Sequence, residues 1–380
     1  MMGYLREPLF DAVPANTRRI GLLAHLHLDA PLLLGLLAAS CLGLIALYSA
    51  GSGSTALVER QLIRLAVGFG VMAAVAQIPP DKLRLWTPPI FVGGILLLIA
   101  VLLFGDVGKG AQRWLDLGFM RFQPSEIMKL SVPMMLAWYL SGRRLPPTLV
   151  HVAAAALMTI VPVLLILKQP DLGTALLVAS SGGFALFLSG LSWRLIAVAL
   201  VGAGMAAPAF WKWGMHDYQR QRVLTLLDPE SDPLGSGYHI IQSKIAIGSG
   251  GAYGKGWLNG TQAHLQFLPE SSTDFIFAVY AEEFGLFGGL ALLGLYAFII
   301  GRGLIIAVRA QQTYGRLLAG SLSLTFFVYL FVNVGMVIGL LPVVGLPLPL
   351  ISYGGTSLVT VMAGFGALMS IQTHRKLLSR

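Results

Sequence analysis

Apolar runs of bilayer length recur along almost the whole chain, and no other feature constrains its fold as strongly. They stand at about 30–49, 61–78, 90–104, 124–141, 148–168, 171–189, 193–211, 273–301, 317–340 and 351–371. Each approaches the ~20 residues that an α-helix needs to cross ~30 Å of hydrocarbon, although the third is short. Only 11% of the residues are charged, where a soluble domain carries about a quarter. There is too little polar surface to coat a water-soluble globule. The pattern predicts an all-α polytopic membrane protein of about ten transmembrane helices, built as one domain over 1–380.

Charge sets the orientation. Segments on the side of the termini contain Arg6, Arg18, Arg19, Lys82, Arg84, Arg143, Arg144, Arg194, Arg302, Arg309, Arg316, Arg375, Lys376 and Arg380, fourteen of the 26 Lys and Arg residues. The short loops opposite carry Arg60, Lys109, Arg113 and Arg121. The positive-inside rule then makes both termini cytoplasmic, with a cytoplasmic start at 1–29 and a tail at 372–380. Loops 105–123, 212–272 and 341–350 face outward. Residues 1–28, broken by Pro8 and Pro14, offer no apolar core for a cleavable signal peptide. The net charge of +9 serves topology and anionic lipid rather than nucleic acid.

The one large extracytoplasmic loop, 212–272, is rich in Gly and Pro, yet Tyr238, Ile240, Ile241, Ile245, Tyr253, Trp257 and Phe267 recur in it. A disordered connector would be poorer in such residues, so short helices on the membrane surface are expected. Gly250–Gly256 has the wrong spacing for a P-loop and no Ser or Thr after Lys255. No HExxH and no paired CxxC occurs. The single cysteine, Cys41, lies in an apolar run and reads as a small hydrophobe.

Acidic residues inside or beside apolar runs are expensive and mark a buried pair, a cavity or a site. Glu126 and Lys129, spaced i,i+3, suit either a direct ion pair or substrate binding. Asp171 falls at a span boundary. Glu282 and Glu283 lie eight and nine residues beyond Asp274, ~12–13 Å deeper along a helix. They suit a polar network inside the bundle, and a proton relay would also use them. Asp274, after Leu268-Pro269-Glu270-Ser271-Ser272-Thr273, reads equally as an N-cap of the eighth span or as a base at its outer lip. Lys109, Arg113, Lys244 and Lys255 face the same side, as solvated charges or as a cradle for an anionic headgroup.

Five motifs in order resemble the SEDS family (shape, elongation, division and sporulation) over about residues 20–375. They are Lys109-Gly110-Ala111-Gln112-Arg113-Trp114-Leu115; Phe122-Gln123-Pro124-Ser125-Glu126 with Lys129; Pro170-Asp171-Leu172-Gly173-Thr174; Gly254-Lys255-Gly256 with Leu268-Pro269-Glu270 and Thr273-Asp274-Phe275; and Pro349-Leu350-Ile351-Ser352-Tyr353-Gly354-Gly355-Thr356-Ser357. The short start fits elongation-type members better than division-type ones.

The resemblance implies a peptidoglycan glycosyltransferase of the bacterial inner membrane that polymerises lipid II into β-1,4 glycan. The acceptor's GlcNAc 4-hydroxyl attacks C1 of the donor's MurNAc, and undecaprenyl pyrophosphate leaves. Asp274 matches the family's critical Asp and is expected to act as general base. Arg113 and Lys129, with Lys109, Lys244 and Lys255 behind them, are expected to hold the pyrophosphate, and Trp114 to pack on sugar or lipid. Glu126, Asp171, Glu282 and Glu283 shape the cavity, and Gly354 and Gly355 permit close backbone packing at the last span. The partners implied are a class B penicillin-binding protein and, around it, MreC, MreD and RodZ. A divalent-cation requirement stays open. Two competing readings are a lipid II flippase, which intramembrane acids would suit, and a scaffold that only recruits a transpeptidase.

Overall fold

All ten expected spans lie on helices in the computed structural model, which describes residues 26–108, 111–116, 121–215, 217–232, 235–265, 267, 268 and 270–374. The first three are α1 (Ala30–Ala50), α2 (Thr55–Ala76) and α3 (Pro80–Phe104). A small antiparallel sheet follows, β1 (Asp106–Gly108), β2 (Ala111–Asp116) and β3 (Arg121–Phe122). Then come α4 (Pro124–Ser141), α5 (Leu149–Lys168), α6 (Leu172–Leu188) and α7 (Trp193–Ala209), the last continued by a π-turn at Phe210–Gly214. The long loop folds as α8 (Asp217–Leu227), α9 (Ser236–Gly250) and α10 (Thr261–His264). The chain ends on α11 (Ile276–Arg309), α12 (Thr313–Val337) and α13 (Thr356–Thr373).

Seven of these helices, α1, α3, α5, α7 taken with its π-turn (Trp193–Gly214, 22 residues), α11, α12 and α13, are long and apolar enough to cross a membrane. The other three fall short for local reasons: α2 carries Glu59, Arg60 and Arg64, α4 carries Glu126 and Lys129, and α6 has 17 residues. The protein is a multi-pass helical membrane protein. The all-α class holds, with one small sheet confined to the loop after α3. One expectation needs correction: the third span is not short, since α3 runs for 25 residues, through Pro88 and Pro89. A Pro at the first helical position lacks an N–H that would be unsatisfied there anyway, which favours the earlier start at Pro80.

The bundle is held by α2 against α13, α3 against α4, α6 against α12, and α11 against α12. Within it Tyr296 stacks on Phe326 (ring centroids 5.6 Å apart), and Phe365 meets Phe326 edge-on (5.0 Å). By contrast, α7 buries none of its described residues. At the terminal side, Asp29 caps α1 through the Leu32 amide (3.1 Å) and takes Arg302 Nε (3.0 Å) and Nη2 (2.6 Å) from α11. Cys41 is exposed on α1, not packed in the core.

Inside α11 the helix breaks at Gly285, in the left-handed region at φ 65°. The reason is tertiary. Leu286 and Phe287 donate their amides to the carbonyls of Gly251 and Ala252, and the Lys255 and Gly256 amides bond to Glu282 and Glu283. The loop after α9 is thus laced to the break. A Cβ on Gly254 would stand 2.1 Å from the Glu283 oxygen, so glycine is required where the two backbones meet.

Candidate active site

The Asp274 turn is clamped by backbone contacts from the C-terminal third of the chain. Tyr353 donates its amide to Ser272 O (2.9 Å), Ser352 Oγ donates to Thr273 O (2.6 Å), and Asn333 Nδ2 of α12 donates to Asp274 O (2.9 Å). Three successive carbonyls are therefore fixed from outside. The Asp274 carboxylate lies beside Gly345, where a methyl group would touch Oδ2 at 3.5 Å. Asp274 is half-buried and precedes α11 by two residues. The N-cap position of α11 is Phe275, which makes no side-chain cap.

Behind this turn, α12 leads down to a second polar point. Asn333 and Tyr329 are one turn apart on one face, ~6 Å along the axis. Lys129 Nζ sits 5.3 Å from the centre of the Tyr329 ring and 2.7 Å from Glu126 Oε1. Lys129 and Glu126 are both buried, so the i,i+3 pair read from the sequence is formed. A groove lined by Lys129, Thr325, Tyr329, Thr360 and Gly364 opens beside it. A fixed, half-buried carboxylate above a buried cation and an apolar groove can remove a proton from a hydroxyl while anionic lipid lies near the cation.

Other expected site residues are placed differently. Arg113, in β2, donates Nε to Gln169 O (3.1 Å) and Nη2 to Pro170 O, gripping the turn between α5 and α6 rather than standing free for a phosphate. Trp114 follows it, half-buried. Asp171 is the N-cap of α6, accepting the Thr174 amide (3.1 Å), and also takes Gln123 Nε2 (2.9 Å). Lys255 gives its ammonium to Glu282 (2.7 Å) and Thr261 Oγ1 (2.9 Å). Glu282 and Glu283 are buried, and Ser49 Oγ bonds to Glu283, which forms the expected polar network. Lys244 is exposed and its stem crosses Gly339 at the end of α12. Lys109 lies outside the described residues.

The close packing expected at Gly354 and Gly355 is not there. A Cβ on Gly354 would meet nothing within 4 Å, and one on Gly355 only Arg64 Nε at 3.8 Å. The tight approach is made instead by Gly43 of α1, where a Cβ would lie 2.5 Å from Leu350 O. Gly354 is held by polar contacts: Gln61 of α2 bonds to Ser352 O (3.3 Å) and to the Gly354 amide (3.5 Å), and Arg64 stacks on Tyr353 (4.1 Å). Asn333 and Gln61 were missed in the sequence, and Ser352 was seen only as part of its motif. A polar residue within an apolar run was the available signal. Among the described residues, no group of three or more His, Cys, Asp or Glu is placed to hold a metal ion.

A family of cell cycle proteins, that of FtsW, RodA and SpoVE, matches residues 23–377. The chain belongs to this family. Peptidoglycan glycosyltransferase MrdB of Escherichia coli K12 is 58% identical over 93% of this chain and 96% of its own length. Peptidoglycan glycosyltransferase RodA of Treponema pallidum is 34% identical over 91% of this chain and 98% of its own. Among solved structures, a chain of a peptidoglycan synthase complex that coordinates polymerization and crosslinking superposes with a TM-score of 0.80 at 34% identity, covering 92% of this chain and 99% of that one. Rod shape determining protein RodA of Thermus thermophilus gives 0.70 at 30% identity, over 92% and 98%.

One titratable group flanks the Asp274 turn of this family member from the long loop. His239 of α9 stacks on Phe275 with ring centroids 5.6 Å apart. Burial pushes its imidazole below the ordinary value of 6.5, against the opposite pull of Glu270 and Asp232. The unfolded chain then takes up the proton more readily than the folded one. Stability contributed here is present above pH ~6.5 and lost as pH falls below it. Thermal melting should therefore drop between about pH 7.5 and 5.5, and His239→Phe should flatten that slope. An unchanged slope in the variant rules out His239 as its source.

Proposed function

We infer that the chain is a peptidoglycan glycosyltransferase that polymerises lipid II during cell-wall elongation. The observation that carries this reading is the backbone-clamped Asp274 carboxylate, set in a family member 58% identical to a peptidoglycan glycosyltransferase. Asp274 takes the proton of the acceptor's 4-hydroxyl as that oxygen attacks the donor's anomeric carbon. The glycosyl–phosphate bond breaks on the opposite face, and the polyprenyl diphosphate carries the electron pair away. Among the described residues, Lys129, with its charge shared by Glu126, and the exposed Lys244 offer positive charge to that leaving group. Arg113 and Lys255 support the site through the contacts already described, and Trp114 offers a half-buried ring to sugar or lipid.

This reading takes all ten helices as membrane crossings within a single domain, both termini cytoplasmic and the Asp274 turn outside the inner membrane, supported by the positive-inside bias of the short loops. The partner it implies is a class B penicillin-binding protein that crosslinks the new strand, in keeping with the synthase complex to which the chain is similar. The flippase reading loses its main support, because Asp171, Glu282 and Glu283 each serve a local cap, ion pair or hydrogen bond. Purified protein given lipid II in detergent, where no sidedness exists, should lengthen glycan visible on a gel, and more so with the transpeptidase present. Lipid II movement across liposomes with no glycan lengthening would instead identify a transporter.

A further inference from the structure

We propose that Asn333 is a positioning residue for glycosyl transfer, holding Asp274 where an acceptor hydroxyl can reach its carboxylate; this rests on the reading of Asp274 as general base. Asn333 lies between Val332 and Val334 in α12 and is fully buried, at 0% exposure. Its Nδ2 donates to Asp274 O (2.9 Å) and to Leu346 O (2.7 Å). One amide thus joins two segments that are far apart in sequence. Leu346 follows Gly345, the residue beside Asp274 Oδ2. The same side chain therefore sets both the Asp274 peptide and the wall against which its carboxylate rests.

The other end of the amide argues for the same role. Asn333 Oδ1 is buried and accepts no hydrogen bond. An unmet buried acceptor costs stability, whereas an apolar side chain of similar shape would avoid that cost. Leucine shares asparagine's branched skeleton, though with bulkier methyl ends, and would suit a valine-flanked helix interior. Keeping the amide here means accepting a local inconsistency, and such inconsistencies collect at functional sites. Ser352 and Tyr353 hold the two carbonyls before Asp274, but Asn333 holds the Asp274 peptide itself.

The test compares Asn333→Leu, Asn333→Asp and Asp274→Ala in the purified full-length protein, with lipid II as substrate. Misplacing a catalytic group by about an ångström costs on the order of 10²-fold. Both Asn333 variants should lose about that much in kcat, with KM within about threefold of wild type. Asn333→Asp is nearly isosteric, and above its carboxyl pKa it has no donor, so an equal loss at high pH would tie the effect to the amide. The acid limb of the kcat–pH profile should vanish from the residual activity of Asn333→Leu, since a displaced base no longer sets it. A purely structural residue would scale the profile without reshaping it.

Hydrogen exchange gives a readout independent of turnover. Peptides across 271–277 and 343–348 should exchange faster in both variants, while α2 stays as in wild type. If Asn333→Leu misfolds, Asn333→Ser, with one donor, replaces it and should show an intermediate loss. Wild-type kcat in Asn333→Leu, or lost activity with an unchanged profile and unchanged exchange, would overturn the proposal. Full activity in Asp274→Ala would overturn the base assignment instead, and exchange would still judge the clamp.

Discussion

Asp274→Ala is expected to lower lipid II polymerisation by about 10²–10⁴-fold, the usual contribution of a positioned general base. The protein should remain folded, because the contacts that hold this turn reach its main chain. Asn333, Ser352 and Tyr353 bond to the carbonyls of residues 272–274, and removing the carboxylate leaves all three in place. Asp274→Asn should be as inactive, since a neutral amide keeps the shape but cannot take the proton. If the loss lies in kcat with KM little altered, the carboxylate acts in the transition state rather than in ground-state binding. Glycan length on gels, read beside thermal melting of the same preparations, decides the matter. Wild-type activity in a folded Asp274→Ala protein would end the assignment.

Glu282→Ala is expected to be the most damaging single change to stability among the polar residues discussed. The carboxylate is fully buried and accepts Lys255 Nζ at 2.7 Å, Thr261 N at 2.9 Å, Thr261 Oγ1 at 3.0 Å and Gln262 N at 3.2 Å. Removing one partner of a buried pair typically costs about 3–5 kcal/mol, because the remaining charge is left uncompensated. Lys255 keeps 29% of its side chain exposed, which puts the expected loss near the lower end of that range, about 3 kcal/mol. The loop from Gly251 to Gln262 would loosen with it, as its other anchors are backbone bonds around Gly285. Glu282→Gln keeps the shape and some acceptors and should fall between. Melting in detergent checks the order wild type, Gln, Ala, and an alanine variant as stable as wild type contradicts the account.

How much of the site was legible beforehand depended on how local each contact is. The Glu126–Lys129 pair spans three residues on one helix, and spacing alone pointed to it. Asp274 stood out as an acid beside an apolar run, and its motif supplied the expected role. Arg113 and Lys255 show a shared limit of the sequence: a cation in a polar loop looks free until its partner is known. Their partners are 56 and 27 residues away. Gly354 and Gly355 misled similarly, since a glycine pair suggests close packing without saying which backbone comes near. That approach belongs to Gly43, some 300 residues earlier in the chain.

The membrane class and the positions of ten helices follow from the chain read alone, and so does the charge bias on which the proposed orientation rests. Those properties depend on run length and charge near each run, which are local sums over about 20 residues. Tertiary structure alone decided that the long loop is laced to a break in α11, and that α12 supplies the amide fixing Asp274. These depend on which helix faces come together and at what register, and a hydrogen bond is lost with an error of an ångström. Composition carries no record of that register. Packing does.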